Sequence, residues 1–316
     1  METYTFVIPA YIRQGDGKRF LCDVIEGMKL QDDQNWQAII VNDNSPVDGI
    51  IELLDAQCRD DGRINYINLD ERKSTGVCRN IGIEWAAKRD SPVIMFNDAD
   101  DISAPGRVGT LRRIFRERGH VDVVYSDFYV IDQNKKPVQK GQLSPGITEI
   151  LDALKDPPEG PDCWYSFGLE KGYTNITSAT NVRTKLAMAE PFPDEFVSED
   201  MHTWFRYAAR GEFLFVEGIS TAYRIPSYVK RQSSVEYVED FARTKMRVDK
   251  DGFQAALQQA LKGRQIDRKD RYLIEAKFLI NLSESMGKVN RLDLVYELSL
   301  DIRKLLDLIQ IDIKIK

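Results

Sequence analysis

From Thr3 to about Tyr125 short apolar runs alternate with longer amphipathic stretches. TYTFVIP, WQAIIVN, INYINL, PVIMFND and DVVYSD read as strands, and each gap between them is long enough for a helix or an extended crossover. The pattern predicts an α/β chain with a mostly parallel sheet covered by helices on its faces. In such sheets ligands sit beyond the carboxyl ends of the strands. Those ends carry Pro9, Ala10 and Tyr11; then Asn42 to Ser45; then Asp70 and Arg72; then Asn97 to Asp101. Polar and acidic groups thus collect at one edge, although ordinary turn and cap chemistry also favours Asp, Asn and Ser there.

Further along, residues 132–162 are rich in Pro, Gly and Lys (KKPVQKGQLSPG, KDPPEGPD) and read as loops passing over that edge. YTNITSATNVRTKLAMAEPFPDEF fits a strand and a short helix. SEDMHTWFRYAARG fits a helix with Ser198 as N-cap, Glu199 and Asp200 in its first turn and Gly211 closing it, and FLFVEG returns as a strand. From about 235 to 310 the chain reads as helices, with an apolar stripe of Leu294, Leu298, Leu305 and Ile309 widened by Ile302 and Leu306. The closing IQIDIKIK alternates with period two and fits either a strand or a continued helix. This divides the chain into a nucleotide-sugar-binding and catalytic domain over residues 1–228 and a mainly helical extension over 229–316.

At 316 residues, 42% hydrophobic and 30% charged, the chain can build a full-sized core. A net charge of -6 gives no global basic field, which argues against nucleic acid as the partner. No run of about 18 apolar residues is present, so no transmembrane segment is expected. The start METYTFVIPAYIR does not resemble a secretory signal. The expected location is cytoplasmic, with attachment to the inner face of a membrane left open. Cys22, Cys58, Cys78 and Cys163 lack metal-site or disulfide spacing and read as packing thiols.

Chemistry concentrates in VIMFNDADDISAPGRV, residues 93–108, where Asp98, Asp100 and Asp101 end an apolar run. Carboxylates this close resist ionising together unless a cation compensates them. Hard oxygen donors at a strand end suit Mg²⁺ or Mn²⁺, which take one or two protein carboxylates plus phosphate oxygens of a ligand. The plainer alternative is that Asp101 or Ser103 caps a helix entered at Pro105. In GVCRNIGIEWAA, residues 76–87, Arg79 lies near the start of a helix, and a helix N-terminus with a guanidinium suits a diphosphate. Asn42-Asp43-Asn44-Ser45 offers a carboxylate to a nucleotide base on which Tyr11 could stack, or forms a simple Asx turn.

IPAYIR, IIVNDNSPVDG, GVCRNIGIEWA, FNDADDISAPGRV and SEDMHTWFRYAARG occur in the order and spacing of family-2 glycosyltransferases with the GT-A fold, which the chain resembles over about residues 1–225. The resemblance implies that Asp43 binds the nucleotide base, with Pro9, Ala10 and Tyr11 at the matching end of the first strand. Arg79 matches the arginine of the family's ARN element. Asp98, Ala99 and Asp100 would be the DxD turn at metal, diphosphate and donor sugar. Asp200 would be the catalytic base, with Glu199 beside it. The implied activity is inverting, metal-dependent transfer of a single sugar from a nucleotide diphosphate sugar, by resemblance a UDP-sugar, to the hydroxyl of a glycan, lipid-linked saccharide or small molecule. Asn42 departs from the pattern, which often has Asp there. The QxxRW element of processive synthases is absent, KRQSS being the nearest string. A non-catalytic nucleotide-sugar-binding protein and an aspartyl phosphotransferase remain alternatives. Acceptor choice is expected within about 132–183, with Trp164, Tyr165, Asn175, Asn181 and Arg183 as candidates. The helical extension could pack over the acceptor side, form a homodimer or touch a membrane.

Overall fold

A computed structural model describes residues 2–226 and 240–314. The first half follows the expected alternation: β1 (Tyr4–Ala10), α1 (Gly15–Lys29), β2 (Trp36–Asn42), α2 (Ile50–Asp60), β3 (Ile64–Asn68), α3 (Thr75–Ala87), β4 (Val93–Phe96), α4 (Arg107–Glu117) and β5 (Val121–Ile131). There follow α5 (Pro145–Ala153), α6 (Cys163–Ser166), β6 (Thr180–Arg183), α7 (Thr184–Ala189), α8 (Glu199–Ala208) and β7 (Glu212–Arg224). Three long helices, α9 (Phe241–Lys262), α10 (Arg268–Lys288) and α11 (Leu292–Lys314), complete the described chain.

One seven-stranded sheet runs in the order β3-β2-β1-β4-β6-β5-β7. All neighbours are parallel except β6, which is antiparallel to both β4 and β5. The period-two alternation of side chains sorts the strands onto two cores. Val7, Ile39, Val41, Ile94 and Phe96 face one core with α3, α7, α8 and the C-terminal helices. Phe6, Ile8, Ala38, Ile40 and Met95 face the other, with α1, α2 and α4. Both faces are covered, which is why the strands read as continuous apolar runs rather than alternating ones.

Several expectations are corrected. Residues 132–162 are not loop alone: Ser144 accepts from the Ile147 amide and caps α5, with Pro145 at its first position. Ser198 does not cap α8 through its side chain; it sits at φ 60°, ψ 20°, where the hydroxyl cannot reach the following amides. The helix expected at Pro105 starts at Arg107, and neither Asp101 nor Ser103 caps it. The period-two tail continues α11 as helix to Lys314. Leu294 and Leu298 are buried and Ile302 and Leu305 pack against them, whereas Leu306 is exposed. KRQSS and the boundary at residue 228 lie outside the described residues.

The C-terminal helices share the core of the sheet. Phe253 of α9 stacks on Phe278 of α10 at 3.9 Å between centroids and meets Phe205 of α8 and Trp164 of α6 edge-on or tilted. Phe253→Ala is therefore expected to cost about 3–5 kcal/mol. Chemical denaturation followed by fluorescence and by circular dichroism should show one coincident transition shifted downward; separate transitions for the sheet and the helices would contradict a shared core.

Candidate active site

The carboxyl ends of β1, β2 and β4 open onto a cleft of about 1600 Å³. Its wall includes Pro9, Ala10, Tyr11, Asp43, Arg79, Asp98, Ala99, Asp100 and Glu199. At the β2 end, Asp43 is buried and accepts from the Lys73 amide (2.6 Å), and the Arg72 guanidinium pairs with it at 3.1 Å. Burial nevertheless pushes the Asp43 carboxyl above its ordinary range. Arg72 also lies 3.1 Å from the centroid of the Tyr11 ring, so Tyr11, Arg72 and Asp43 form one corner. Asn42 is structural: its amide donates to Asn68 (2.6 Å) and its carbonyl accepts from Ser45.

Ser74 caps α3 by accepting from the Val77 amide, which aims the start of that helix at the cleft. Arg79 lies one turn into that helix. It is 2% exposed, donating to Asp98 Oδ1 and to Glu199 Oε1, both at 2.8 Å. Burial disfavours its charge, but Asp98 and Glu199 more than offset that and hold its proton above the usual arginine range.

At the β4 end the Asn97 amide holds the carbonyls of Asp98 and Asp101, and the Asp98 amide donates to Ser178 Oγ (2.9 Å). The three acids then diverge. Asp98 meets Arg79, while Asp101 turns inward and accepts from the Arg224 amide (2.8 Å). Asp100 stays at the cleft wall, its carboxyl pushed up by burial and by Asp98 and lowered only partly by Arg224. Among the described residues no three His, Cys, Asp or Glu side chains gather around one point. Asp98 and Asp100 alone, with an undercompensated charge at Asp100, fit a hard divalent cation that completes its shell with water and phosphate oxygens rather than an all-protein cage.

The first turn of α8 brings the remaining acids. Glu199 reaches the wall through Arg79, whereas Asp200 lies behind it, accepting from the Tyr173 hydroxyl and the Met201 amide. Tyr223 and Arg224 at the end of β7 also line the cleft. The acceptor candidates fall elsewhere: Trp164 is in the core, Asn175 bonds Thr180, Asn181 accepts from Arg107, and Arg183 donates to the carbonyls of Val121 and Phe115. Tyr165 lines a separate small pocket. Sequence reasoning missed Tyr173, Ser178, Tyr223 and Arg224 because none follows a run recognised as a strand ending at the active edge.

The family model of glycosyl transferase family 2 matches residues 5–174, more than half of the chain and all of the corner formed by Tyr11, Arg72 and Asp43. The chain belongs to that family. This family-2 glycosyltransferase is similar to an uncharacterised glycosyltransferase of Methanocaldococcus jannaschii, 24% identical over 228 residues, 70% of this chain and 73% of the relative. It also resembles the glycosyltransferase GlyG of Streptococcus pneumoniae, 29% identical over 133 residues, 42% and 41% of the two chains. A crystal structure of Staphylococcus aureus TarS 1–349 in complex with UDP-GlcNAc superposes with a TM-score of 0.53 at 12% identity, covering 96% of this chain and 92% of that one. At that identity the likeness shows the GT-A fold. No helix among the described residues is long and apolar enough to cross a membrane.

Glu199 carries a pH signature. Burial and Asp200 push its carboxyl up to about 7 against the opposing pull of Arg79, while in the unfolded chain it titrates near ~4.3. Between those values the folded state binds the extra proton, so this contribution to stability is present at low pH and is lost as pH rises through about 7. Buried His202, depressed to about 4, contributes with the opposite slope. Melting temperature in EDTA, taken as the difference between wild type and Glu199→Gln, should therefore fall from pH 4.5 to pH 7.5; a flat difference would place Glu199 outside the buried ion cluster.

Proposed function

We propose that this glycosyltransferase is inverting and metal-dependent, and that it moves one sugar from a UDP-sugar to a hydroxyl acceptor. The observation that carries this reading is Arg79, which joins Asp98 at the end of β4 to Glu199 in the first turn of α8, so that the cleft is bordered by the acid turn and by the immediate neighbour of Asp200. The two-part organisation expected from the sequence, a catalytic part to 228 and an extension beyond it, belongs to the same proposal.

Asp43 would accept from the imide N–H of uracil, with Tyr11 and Arg72 covering the ring. Asp98 and Asp100 would hold Mn²⁺ or Mg²⁺, which supplies charge neutralisation for the departing diphosphate. Asp200 takes the proton of the acceptor hydroxyl as that oxygen bonds to the anomeric carbon; the bond from that carbon to the diphosphate breaks, and UDP leaves with the electron pair. A single displacement inverts the anomeric centre. TarS, which shares the fold, is known in complex with UDP and with UDP-GlcNAc, which supports uridine as the nucleotide. The acceptor class stays as broad as the sequence left it: a glycan, a lipid-linked saccharide or a small molecule.

Calorimetric titration of UDP, with GDP as control, in Mn²⁺ and then in EDTA tests the donor site. UDP should bind only with the metal, and Asp100→Asn should abolish that metal-dependent binding. Binding of GDP in preference to UDP, or equal binding in EDTA, would overturn the donor assignment. Asp200→Asn should keep UDP binding while transfer drops about 10²–10⁴-fold, the range of a lost general base. Full transfer by that variant would remove Asp200 from catalysis.

A further inference from the structure

Ser198, the residue before α8, is one of the few non-glycine residues with positive φ, and the conformation is unfavourable without support from its surroundings. That support comes from α9. The Ser198 hydroxyl donates to Asp249 Oδ1 and accepts from the Lys245 ammonium (3.3 Å), which also pairs with Asp249 Oδ2. Asp249 is buried. One turn later Gly252 lies so close to α8 that a Cβ there would stand 2.6 Å from the Cα of His202. The two helices therefore meet backbone to backbone where α8 presents Glu199 and Asp200. The Asp200 carboxylate itself accepts from the Tyr173 hydroxyl.

We propose that Lys245, Asp249 and Ser198 form a latch by which the C-terminal helices serve as a positioning element for the reaction. The latch fixes the first turn of α8, and with Tyr173 it holds the Asp200 carboxylate where it removes the acceptor proton. This rests on Asp200 as the base. It gives the extension a role in the rate of transfer rather than in donor binding, because no residue of α9 reaches the corner formed by Tyr11, Arg72 and Asp43.

The test uses the full chain and UDP release from UDP-glucose and UDP-N-acetylglucosamine with water as acceptor, beside UDP calorimetry and melting curves. Ser198→Gly removes the hydroxyl while easing the backbone, and Lys245→Met removes the charge. Each should lower kcat by about 10- to 100-fold, the scale of a small misplacement, with the donor KM and UDP affinity unchanged. Lys245→Arg should recover most of the rate. Asp200→Asn combined with Lys245→Met should be no slower than Asp200→Asn alone. Wild-type kcat in both latch variants, or a parallel loss of UDP affinity, overturns the latch. If Asp200→Asn is inactive while the latch variants keep full rate, only the latch fails; if Asp200→Asn keeps full rate, the base assignment itself has failed and the latch with it.

Discussion

Three carboxylates within four positions at the end of β4 are the constraint around which the rest is arranged. Two arginines from different elements answer them, and a third braces the strand from behind. Arg79 of α3 takes Asp98; Arg224 of β7 gives its backbone amide to the Asp101 carboxylate and its side chain to the Asp100 carbonyl, and reaches on to Asp23 of α1. Arg107 of α4 lies fully buried behind the strand, donating to the backbone carbonyls of Phe96 and Thr180 and to the side-chain carbonyl oxygens of Asn97 and Asn181. With no carboxylate touching it, burial alone depresses its pKa to about 9. A turn of like charges is thereby tied to four separate helices and strands. Breaking one such buried pair leaves an uncompensated charge, which costs more than the pair itself contributes.

The compensation is incomplete at the cleft wall. Asp98 meets the Arg79 guanidinium and Asp101 the Arg224 amide, and burial raises the carboxyls of both Asp101 and Asp100; of those two only Asp100 lies at the wall of the cleft. Under the proposed function, the Asp100 carboxylate is the edge left to attract a ligand cation. Arg79 extends the same charge balance across the cleft, because its second carboxylate is Glu199. The position of α8 is therefore coupled to the acid turn from the front and to α9 from behind.

Much of this was legible in the sequence, for physical reasons. Strands buried on both faces leave continuous apolar runs, so β1 to β5 and their polar ends could be read directly, and Asp43, Arg79, Asp98, Asp100 and Glu199 do converge. What could not be read depends on partners far along the chain. Ser198 looks like an N-cap because a serine precedes two acids and an apolar run, but its hydroxyl belongs to Asp249, 51 residues on. Arg79 looks like a solvated first-turn arginine until Glu199, 120 residues away, is packed against it. Periodicity within α11 likewise predicted a stripe, of which Leu306 is left exposed, since pattern does not reveal where the underlying surface ends.

Ligands sit beyond the carboxyl ends of strands where the neighbours are parallel. β6 runs antiparallel between β4 and β5, so its amino end, not its carboxyl end, lies at the active edge. Residues before β6 therefore reach the site: Ser178 holds the Asp98 amide and Tyr173 holds Asp200. Arg183, at the carboxyl end of β6, is carried to the opposite edge, where it binds the carbonyls of Phe115 and Val121 around the start of β5. Because β7 is parallel to β5, its carboxyl end returns Tyr223 and Arg224 to the cleft. The corner of Tyr11, Arg72 and Asp43 is thus built beyond parallel strand ends alone, and the opposite part of the cleft is built from both ends of strands of mixed direction.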